Sequence, residues 1–225
     1  MRTFEVIDAP QRSPEWFAAR LGLLTGSRSA DMLATLKGGG PAQARKDLAV
    51  QLACETLTGQ IQEDAYTNVY MQRGIDCEPL AFAAYEARTG AMVQRAGFCR
   101  SLLYRAGYSP DGYIGDWEGL VELKCPKSAT HLKYLKAQVV PPEHRAQILH
   151  ALWLTGAQYC DFVSYDDRFP EPLHLFVTRV NRDESAIELY EQQALAFLEE
   201  VQLEVDALKT MAGVGPVLQQ VLEAR

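Results

Sequence analysis

The most regular pattern of apolar and polar residues lies near the C-terminal end of the chain. Between Asp183 and Lys209, apolar residues recur at steps of three and four, the spacing of one face of an α-helix. They are Ile187, Tyr190, Ala194, Phe197, Val201, Val205 and Leu208. The pattern predicts one long amphipathic helix that packs this face against the rest of the protein.

Helix-start residues and glycines predict further helices. Ser13 followed by Pro14 is a typical helix start, and this helix is predicted to end near Arg20. Thr-Gly-Ser at 25–27 predicts a second helix that ends near Leu36, before a glycine-rich loop. The remaining helices are predicted over 42–58, 67–88, 128–136 and 142–155.

Residues 91–124 change to short β-rich runs separated by glycine and proline, which is typical of a strand meander. Two more strands are predicted over 158–165 and 173–180. This order of elements favours a mixed α/β fold. We expect one domain over 1–225, with a helical N-terminal part (about 1–90), a sheet (about 91–180) and C-terminal helices (about 183–225).

The net charge of −7 by itself disfavours a nucleic-acid partner. The excess, however, lies in residues 183–225, which hold nine acidic and two basic residues, whereas residues 1–182 hold 20 of each. A neutral body can carry a basic groove, so the charge does not exclude DNA binding.

The five cysteines and the apolar runs narrow the class of protein further. No C-x-x-C pair is present, which argues against a zinc site or an iron–sulfur cluster. No apolar run approaches the length of a membrane span, and the N-terminus does not resemble a signal peptide. We therefore expect a cytoplasmic protein without a membrane partner.

The residues most suited to chemistry lie in a predicted hairpin. Ser-Pro-Asp-Gly occupies 109–112 and Glu-Leu-Lys occupies 122–124. Alternate residues of a strand face opposite sides, so positions 121 and 123 would face the core while Glu122 and Lys124 point together to the other side. Asp111, on the preceding arm, can reach the same place.

Two carboxylates beside an ammonium group suit phosphodiester hydrolysis. Carboxylate oxygens bind Mg²⁺, which polarises a phosphate and activates a water. Lys124 would stabilise charge that develops on phosphorus or hold the attacking water. Spacing alone leaves a simpler interpretation open, because Ser-Pro-Asp-Gly is also an ordinary turn and charged hairpin residues are usually solvated. A calcium loop is excluded, since alternating Asp or Asn ligands before the glycine are missing.

Further motifs occur in a fixed order along the chain. They are Trp16, Arg-Leu-Gly at 20–22, Thr-Gly-Ser at 25–27, Gly74 with Glu78, Ser-Pro-Asp-Gly at 109–112, Glu-Leu-Lys-Cys-Pro at 122–126, and Ala146-Gln147 with Trp153. Together they resemble the lambda-type exonucleases of phage recombination, which belong to the restriction-endonuclease-like superfamily. The resemblance implies a restriction-endonuclease-like core, in which helices flank a central mixed β-sheet.

The resemblance also implies an activity and partners. The activity is Mg²⁺-dependent, processive 5′→3′ digestion of linear double-stranded DNA from 5′-phosphorylated ends, which leaves 3′ single strands for recombination by annealing. The implied assembly is a ring-shaped homotrimer, and the implied partner is a phage single-strand annealing protein. The protein would be encoded by a phage or prophage and act in the bacterial cytoplasm.

The resemblance implies roles for particular residues as well. Asp111, Glu122 and the Leu123 carbonyl would bind two Mg²⁺ ions per site, with Mn²⁺ able to substitute, and Glu78 would lie nearby. Lys124 and Gln147 would place the water. The residues implied in binding DNA and its 5′-phosphate are Arg20, Ser27, Ser109, Lys37 and Trp16.

Each of these residues also has a simpler interpretation. Arg20 could be a surface residue, Ser27 a helix cap, Gln147 a solvated residue, Glu78 a partner of Arg73, and Trp16 ordinary packing.

Two other functions remain open. A site- or structure-specific endonuclease of the same superfamily would cut covalently closed circles, which an exonuclease would not. A non-catalytic DNA-binding protein on a degenerate nuclease fold is the second alternative, and the intact Asp111, Glu122 and Lys124 argue against it. A helicase-linked nuclease with an iron–sulfur cluster would need grouped cysteines, which the sequence lacks.

Overall fold

The architecture, taken from a computed structural model that describes residues 2–62 and 69–213, combines two β-sheets with seven α-helices in those ranges. The helices are α1 Pro14–Arg20, α2 Ser29–Met32, α3 Gln43–Thr58, α4 Val69–Thr89, α5 Ser128–Ala137, α6 Pro142–Thr155 and α7 Glu184–Met211. The strands are β1 Phe4–Ile7, β2 Leu24–Thr25, β3 Val93–Gln94, β4 Phe98–Ser101, β5 Ala106–Tyr108, β6 Gly112–Ile114, β7 Gly119–Lys124, β8 Tyr159–Tyr165 and β9 Leu175–Asn181.

The larger sheet has the strand order β3-β6-β7-β8-β9, and the smaller has the order β1-β4-β5-β2. In the larger sheet, β7 is central, antiparallel to β6 and parallel to β8. The predicted mixed α/β fold is therefore confirmed. The predicted meander over 91–124, however, divides between the two sheets, because β4 and β5 pair with the short N-terminal strands β1 and β2.

Helices cover both faces of β7, as expected for a strand with a parallel neighbour. Leu120 belongs to a large buried cluster that includes residues of α6 and α7. Val121 and Leu123, on the opposite face, belong to a second cluster with residues of α4. Positions 120 and 122 share a face, so Glu122 is directed into the interior between the sheet and α6.

The long C-terminal helix is confirmed as α7. Asp183 caps it by accepting hydrogen bonds from the main-chain N–H groups of Ser185 and Ala186. Of the seven predicted apolar positions all are buried except Leu208, which lies in the last turns and is 36% exposed. The C-terminal helices predicted beyond residue 213 lie outside the described residues.

The second predicted helix is much shorter than expected. Residues Gly26–Arg28 form a 3-10 turn, and α2 ends at Met32 instead of near Leu36. The chain then folds into a small hairpin in which Thr35 is paired with Pro41 and Ala42 N–H donates to the Ala34 carbonyl. These contacts between the two arms of the hairpin replace the hydrogen bonds of a helix, so the helix ends at Met32.

Two further predictions concern the start of α4 and membrane-spanning segments. The predicted start of α4 at residue 67 lies outside the described ranges. None of the helices within 2–62 and 69–213 is both long enough and apolar enough to cross a membrane.

His150 on α6 joins three elements in the core. The Gly107 carbonyl on β5 can only accept, so His150 Nε2–H donates to it at 2.9 Å. His150 Nδ1 then accepts from the hydroxyl of Tyr190 on α7 at 2.8 Å, which is the neutral tautomer. Burial lowers the pKa of His150 to about 4.

We expect acid to destabilise the protein through His150. Between its unfolded pKa near 6.5 and its folded pKa of about 4, the unfolded chain binds a proton that the folded one excludes, so stability falls as the pH drops through this window. The shift corresponds to about 3 kcal/mol. Urea unfolding of the wild type and His150→Gln at neutral pH and near the folded pKa measures this, and an equal loss in both proteins would assign the acid sensitivity elsewhere.

Candidate active site

The carboxylate of Glu122, on β7, is completely buried and accepts three hydrogen bonds. Its Oε1 accepts from Lys124 Nζ at 2.5 Å and from Gln147 Nε2 at 2.6 Å, and its Oε2 accepts from the Tyr108 hydroxyl at 3.1 Å. The donors come from β7, α6 and β5. The solvated-hairpin interpretation is therefore wrong for Glu122, and Gln147 is not a merely solvated helix residue.

Asp111 stands beside Glu122 because of the register of the β6–β7 hairpin. Gly112 pairs with Val121, which brings the preceding Asp111 level with Glu122. Asp111 Oδ2 accepts from the Leu123 main-chain N–H at 2.7 Å. Packing against the neighbouring strand β3 requires glycine at position 112, since a Cβ there would lie 2.3 Å from Val93 Cγ1.

The charges in this cluster influence one another. Burial and the neighbouring Glu122 raise the pKa of Asp111 to about 7, against the opposing effects of Lys124 and the Leu123 N–H. Burial lowers the pKa of Lys124, but the carboxylates of Glu122 and Asp111 outweigh it, so that pKa is raised overall. Lys124 therefore remains a cation at neutral and mildly alkaline pH.

The donor set fits a hard divalent cation. Two carboxylates and the Leu123 main-chain carbonyl supply only oxygen atoms, which Mg²⁺ and Mn²⁺ prefer. A cation between the two carboxylates would relieve the repulsion that contributes to the raised pKa of Asp111. Within 2–62 and 69–213, no group of three or more His, Cys, Asp or Glu side chains could hold a metal. Main-chain, water or substrate oxygens would have to complete the coordination.

Glu78, on α4, lies at the boundary of two cavities beside this cluster. One cavity, of about 390 Å³, is also lined by Leu123 and Lys124, and the other, of about 260 Å³, by Asp111. Arg95 NH2 lies 3.9 Å from Glu78 Oε2. The predicted alternative pairing with Arg73 is wrong, because Arg73 binds carboxylates that follow β8.

A second cluster of polar side chains forms around Trp16 on α1. Its indole N–H donates to Ser109 Oγ at 2.8 Å, and the Arg20 guanidinium lies 3.9 Å over its ring. Arg20 also reaches Thr25 Oγ1 at 3.5 Å, and the Thr25 and Ser27 hydroxyls are 3.2 Å apart. The structure therefore brings Arg20, Ser27 and Ser109 into one network. Ser109 precedes Asp111 by two residues in the chain.

Three of the predicted DNA contacts differ in their setting from what the sequence indicated. Ser27 lies within the 3-10 turn, and the N-cap residues of that turn and of α2 are Thr25 and Arg28, so the helix-cap interpretation is wrong. Trp16 is only 9% exposed and supports Arg20 and Ser109. Lys37 lies in the exposed hairpin over 35–41, and no hydrogen bond or ion pair among the described residues joins it to either cluster.

Two residues at the site were not identified from the sequence. Tyr108 belongs to the smaller sheet, and no local pattern indicates that it meets Glu122. His144 lies on α6 one helical turn before Gln147 and lines the larger cavity with Lys124. The three-residue spacing of His144 and Gln147 on a predicted helix could have indicated that the two side chains lie on the same face. The His144 ring stacks on Phe162, and burial, reinforced by Lys124, lowers its pKa.

Known proteins that are similar to this chain include nucleases. Residues 15–158 match the family of YqaJ-like viral recombinase domains. The crystal structure of an alkaline exonuclease from Laribacter hongkongensis, LHK-Exo, is 40% identical, with a TM-score of 0.80, over 89% of this chain and 98% of that one. A structure of LHK-Exo in complex with dAMP matches to the same extent.

A more distant structure and a negative result complete the comparison. A phage-related exonuclease from Haemophilus somnus is similar at 15% identity and a TM-score of 0.63, over 83% of this chain and 96% of that one, which bears on the fold alone. No curated protein sequence matches the chain significantly. Together the structural matches confirm the predicted restriction-endonuclease-like fold class.

Proposed function

We propose that this chain, which belongs to the family of YqaJ-like viral recombinase domains, is a Mg²⁺-dependent exonuclease that digests linear duplex DNA processively in the 5′→3′ direction. Family membership makes it a deoxyribonuclease of the lambda-type exonuclease group that acts in recombination. The metal, the polarity, the processivity and the residue roles are the proposal.

The observation that carries the proposal is the buried carboxylate of Glu122, held by Lys124 and Gln147 and placed beside Asp111. Burying a charge is unfavourable unless it is compensated, and a site with this arrangement is a typical place for catalysis. The adjoining cavities give a phosphodiester access to the cluster.

Different residues of the site would bind the metal ions and the phosphate. Asp111, Glu122 and the Leu123 carbonyl would hold two Mg²⁺ or Mn²⁺ ions, with Glu78 beside them. When bound, the ions supply polarisation of the phosphate and a more acidic water. Lys124, fixed in its charged form, would stabilise negative charge on the phosphoryl oxygens.

Gln147 would orient the attacking water, because its amide already lies at the Glu122 carboxylate. The amide can donate and accept at the same time, so it can hold both a carboxylate and a water.

The Trp16 cluster would recognise the 5′ end. Arg20 can bind a phosphate with two hydrogen bonds, and the hydroxyls of Ser27 and Ser109 are further donors. Trp16 would fix Arg20 and Ser109 in place instead of contacting the bases. Lys37 would contact DNA outside both clusters, where its exposed hairpin leaves the side chain accessible.

We further propose that residues 1–225 form one nuclease domain, because a single buried cluster includes residues from Phe4 to Val201. By family analogy the protein would form a ring-shaped homotrimer and supply 3′ single strands to a phage annealing protein in the bacterial cytoplasm. A neutral body beside the acidic α7 suits a ring with a basic channel and an acidic exterior. Sedimentation velocity should give three times the 25.1 kDa chain mass, and a monomer alone at working concentration would refute the ring.

We expect Lys124→Ala to lower the rate of DNA cleavage by on the order of 10²-fold or more, because it removes the cation that stabilises the phosphoryl charge. Binding of DNA in the presence of chelator should persist. Release of label from linear duplexes marked separately at the 5′ and 3′ ends, with and without Mg²⁺, measures rate and polarity together.

A covalently closed circle is the control substrate for that experiment. Its cleavage by the wild type would favour the endonuclease alternative, and the absence of any chelator-reversible cleavage would favour the non-catalytic one. Near-normal turnover by folded Lys124→Ala would contradict the assignment of the site.

We expect the wild type to prefer 5′-phosphate over 5′-hydroxyl ends, and Arg20→Ala to reduce that preference by on the order of tenfold. The variant loses the guanidinium that would bind the terminal phosphate and should stall more often. Digestion rates and product lengths on the two kinds of end provide the measurement. Arg20→Lys, which keeps the charge without the planar fork, should retain part of the preference. Equal rates on both ends in the wild type would show that no such pocket operates.

A further inference from the structure

We propose that Arg95, assisted by Arg12, forms a second phosphate-binding site that holds an internal phosphodiester of the DNA strand being cut, on the Glu78 side of the catalytic cluster. The inference rests on the proposed function, which it extends with a contact that does not depend on the chemistry of the DNA end.

The Arg95 guanidinium is fixed by contacts from separate parts of the fold. Its NH1 donates to the Asp111 main-chain carbonyl at 2.6 Å, and its Cζ lies 3.7 Å over the ring of Phe82. Its NH2 is 3.9 Å from Glu78 Oε2, one helical turn from Phe82 on α4. Arg95 directly follows β3, which is paired with β6, so the strand pair that positions Asp111 also positions Arg95.

Arg95 nevertheless keeps most of its binding capacity. Its side chain is 52% exposed and lines the smaller cavity together with Asp111 and Glu78. A guanidinium has five N–H donors, and the contact with Glu78 is longer than a hydrogen bond. A planar group that is already ordered loses little conformational freedom on binding, and its geometry suits the two oxygens of a phosphate.

Arg12 lies where it can reinforce this site. It occupies the turn before α1, with a φ of 71°, and it lines both cavities that meet at Glu78. Within 2–62 and 69–213 its side chain makes no hydrogen bond or ion pair, so its guanidinium can bind a phosphate without breaking an existing contact.

The electrostatics of the cleft favour this assignment. Asp111, Glu122 and Glu78 would repel a DNA strand, and the Lys124 ammonium is already bound to Glu122 at 2.5 Å. Arginine side chains lining the smaller cavity would offset that repulsion where the strand enters.

The position of Arg95 distinguishes its ligand from the terminal phosphate. The Trp16 cluster meets the chain at Ser109, whereas Arg95 meets it at the Asp111 carbonyl. Arg95 shares a cavity with Asp111 and Glu78, whereas Arg20 is not among the residues that line either of the two cavities. Arg20 would therefore read the end, and Arg95 would bind a phosphate that every nucleotide carries.

Binding of DNA to Arg95→Gln tests the inference without cleavage. Fluorescence anisotropy in chelator, on duplexes with a 5′-phosphate or a 5′-hydroxyl, should show about tenfold weaker binding on both. The slope of log affinity against log salt should fall by about one. Arg100→Gln is the matched control, since Arg100 is 46% exposed and is paired with Glu5, away from the cavities, and we expect wild-type binding.

Two results would overturn the inference. One is wild-type affinity and salt slope in Arg95→Gln, and the other is a loss confined to phosphorylated ends. Calorimetric titration with Mn²⁺ alone separates an indirect role, because a changed metal affinity with unchanged DNA affinity would mean that Arg95 acts only through Glu78. Arg95→Lys, which keeps the charge, should bind between the wild type and Arg95→Gln, and thermal unfolding checks that each variant is folded.

Failure of this inference is distinguishable from failure of the proposed function. If Lys124→Ala loses cleavage while Arg95→Gln binds DNA normally, only the second phosphate site is wrong. If the wild type shows no metal-dependent cleavage, the proposed function fails, whatever Arg95 binds.

Discussion

The site depends on holding the carboxyl group of Glu122 inside the protein. Transfer of an isolated carboxylate from water into the interior is strongly unfavourable, so the buried Glu122 requires polar groups around it. Lys124 provides one from the same strand, whereas Gln147 and Tyr108 provide the others from α6 and β5. The packing of α6 and of the smaller sheet against β7 is therefore part of the electrostatics of the site as well as of the apolar core.

Features with a local origin could be predicted from the sequence. The spacing of apolar residues located α7, and strand alternation placed Glu122 and Lys124 on one side of β7. Asp111 followed because a hairpin brings neighbouring strands into register. In each case the outcome is determined by residues close together in the chain, and pattern alone was enough.

Features that depend on distant pairing could not be predicted in this way. Nothing near β4 indicates that it leaves the meander to pair with β1, because β1 shows no distinctive pattern over its four residues. The same holds for Tyr108, which reaches Glu122 only because the two sheets meet. The helix expected to continue to Leu36 was replaced by a hairpin whose hydrogen bonds involve residues on the far side of a glycine loop.

Gly112 gives the Ser-Pro-Asp-Gly motif two separate meanings. Its lack of a side chain is required by the closeness of Val93, whatever chemistry the neighbouring residue performs. No such packing contact requires an aspartate at position 111, and the hydrogen bond that its side chain accepts from the Leu123 N–H is one that an asparagine oxygen would also accept. A relative that had lost catalysis would thus keep the glycine and drift at the aspartate. When new sequences of this kind are sorted into active and inactive members, the glycine reports the architecture, and Asp111 with Lys124 reports the enzyme.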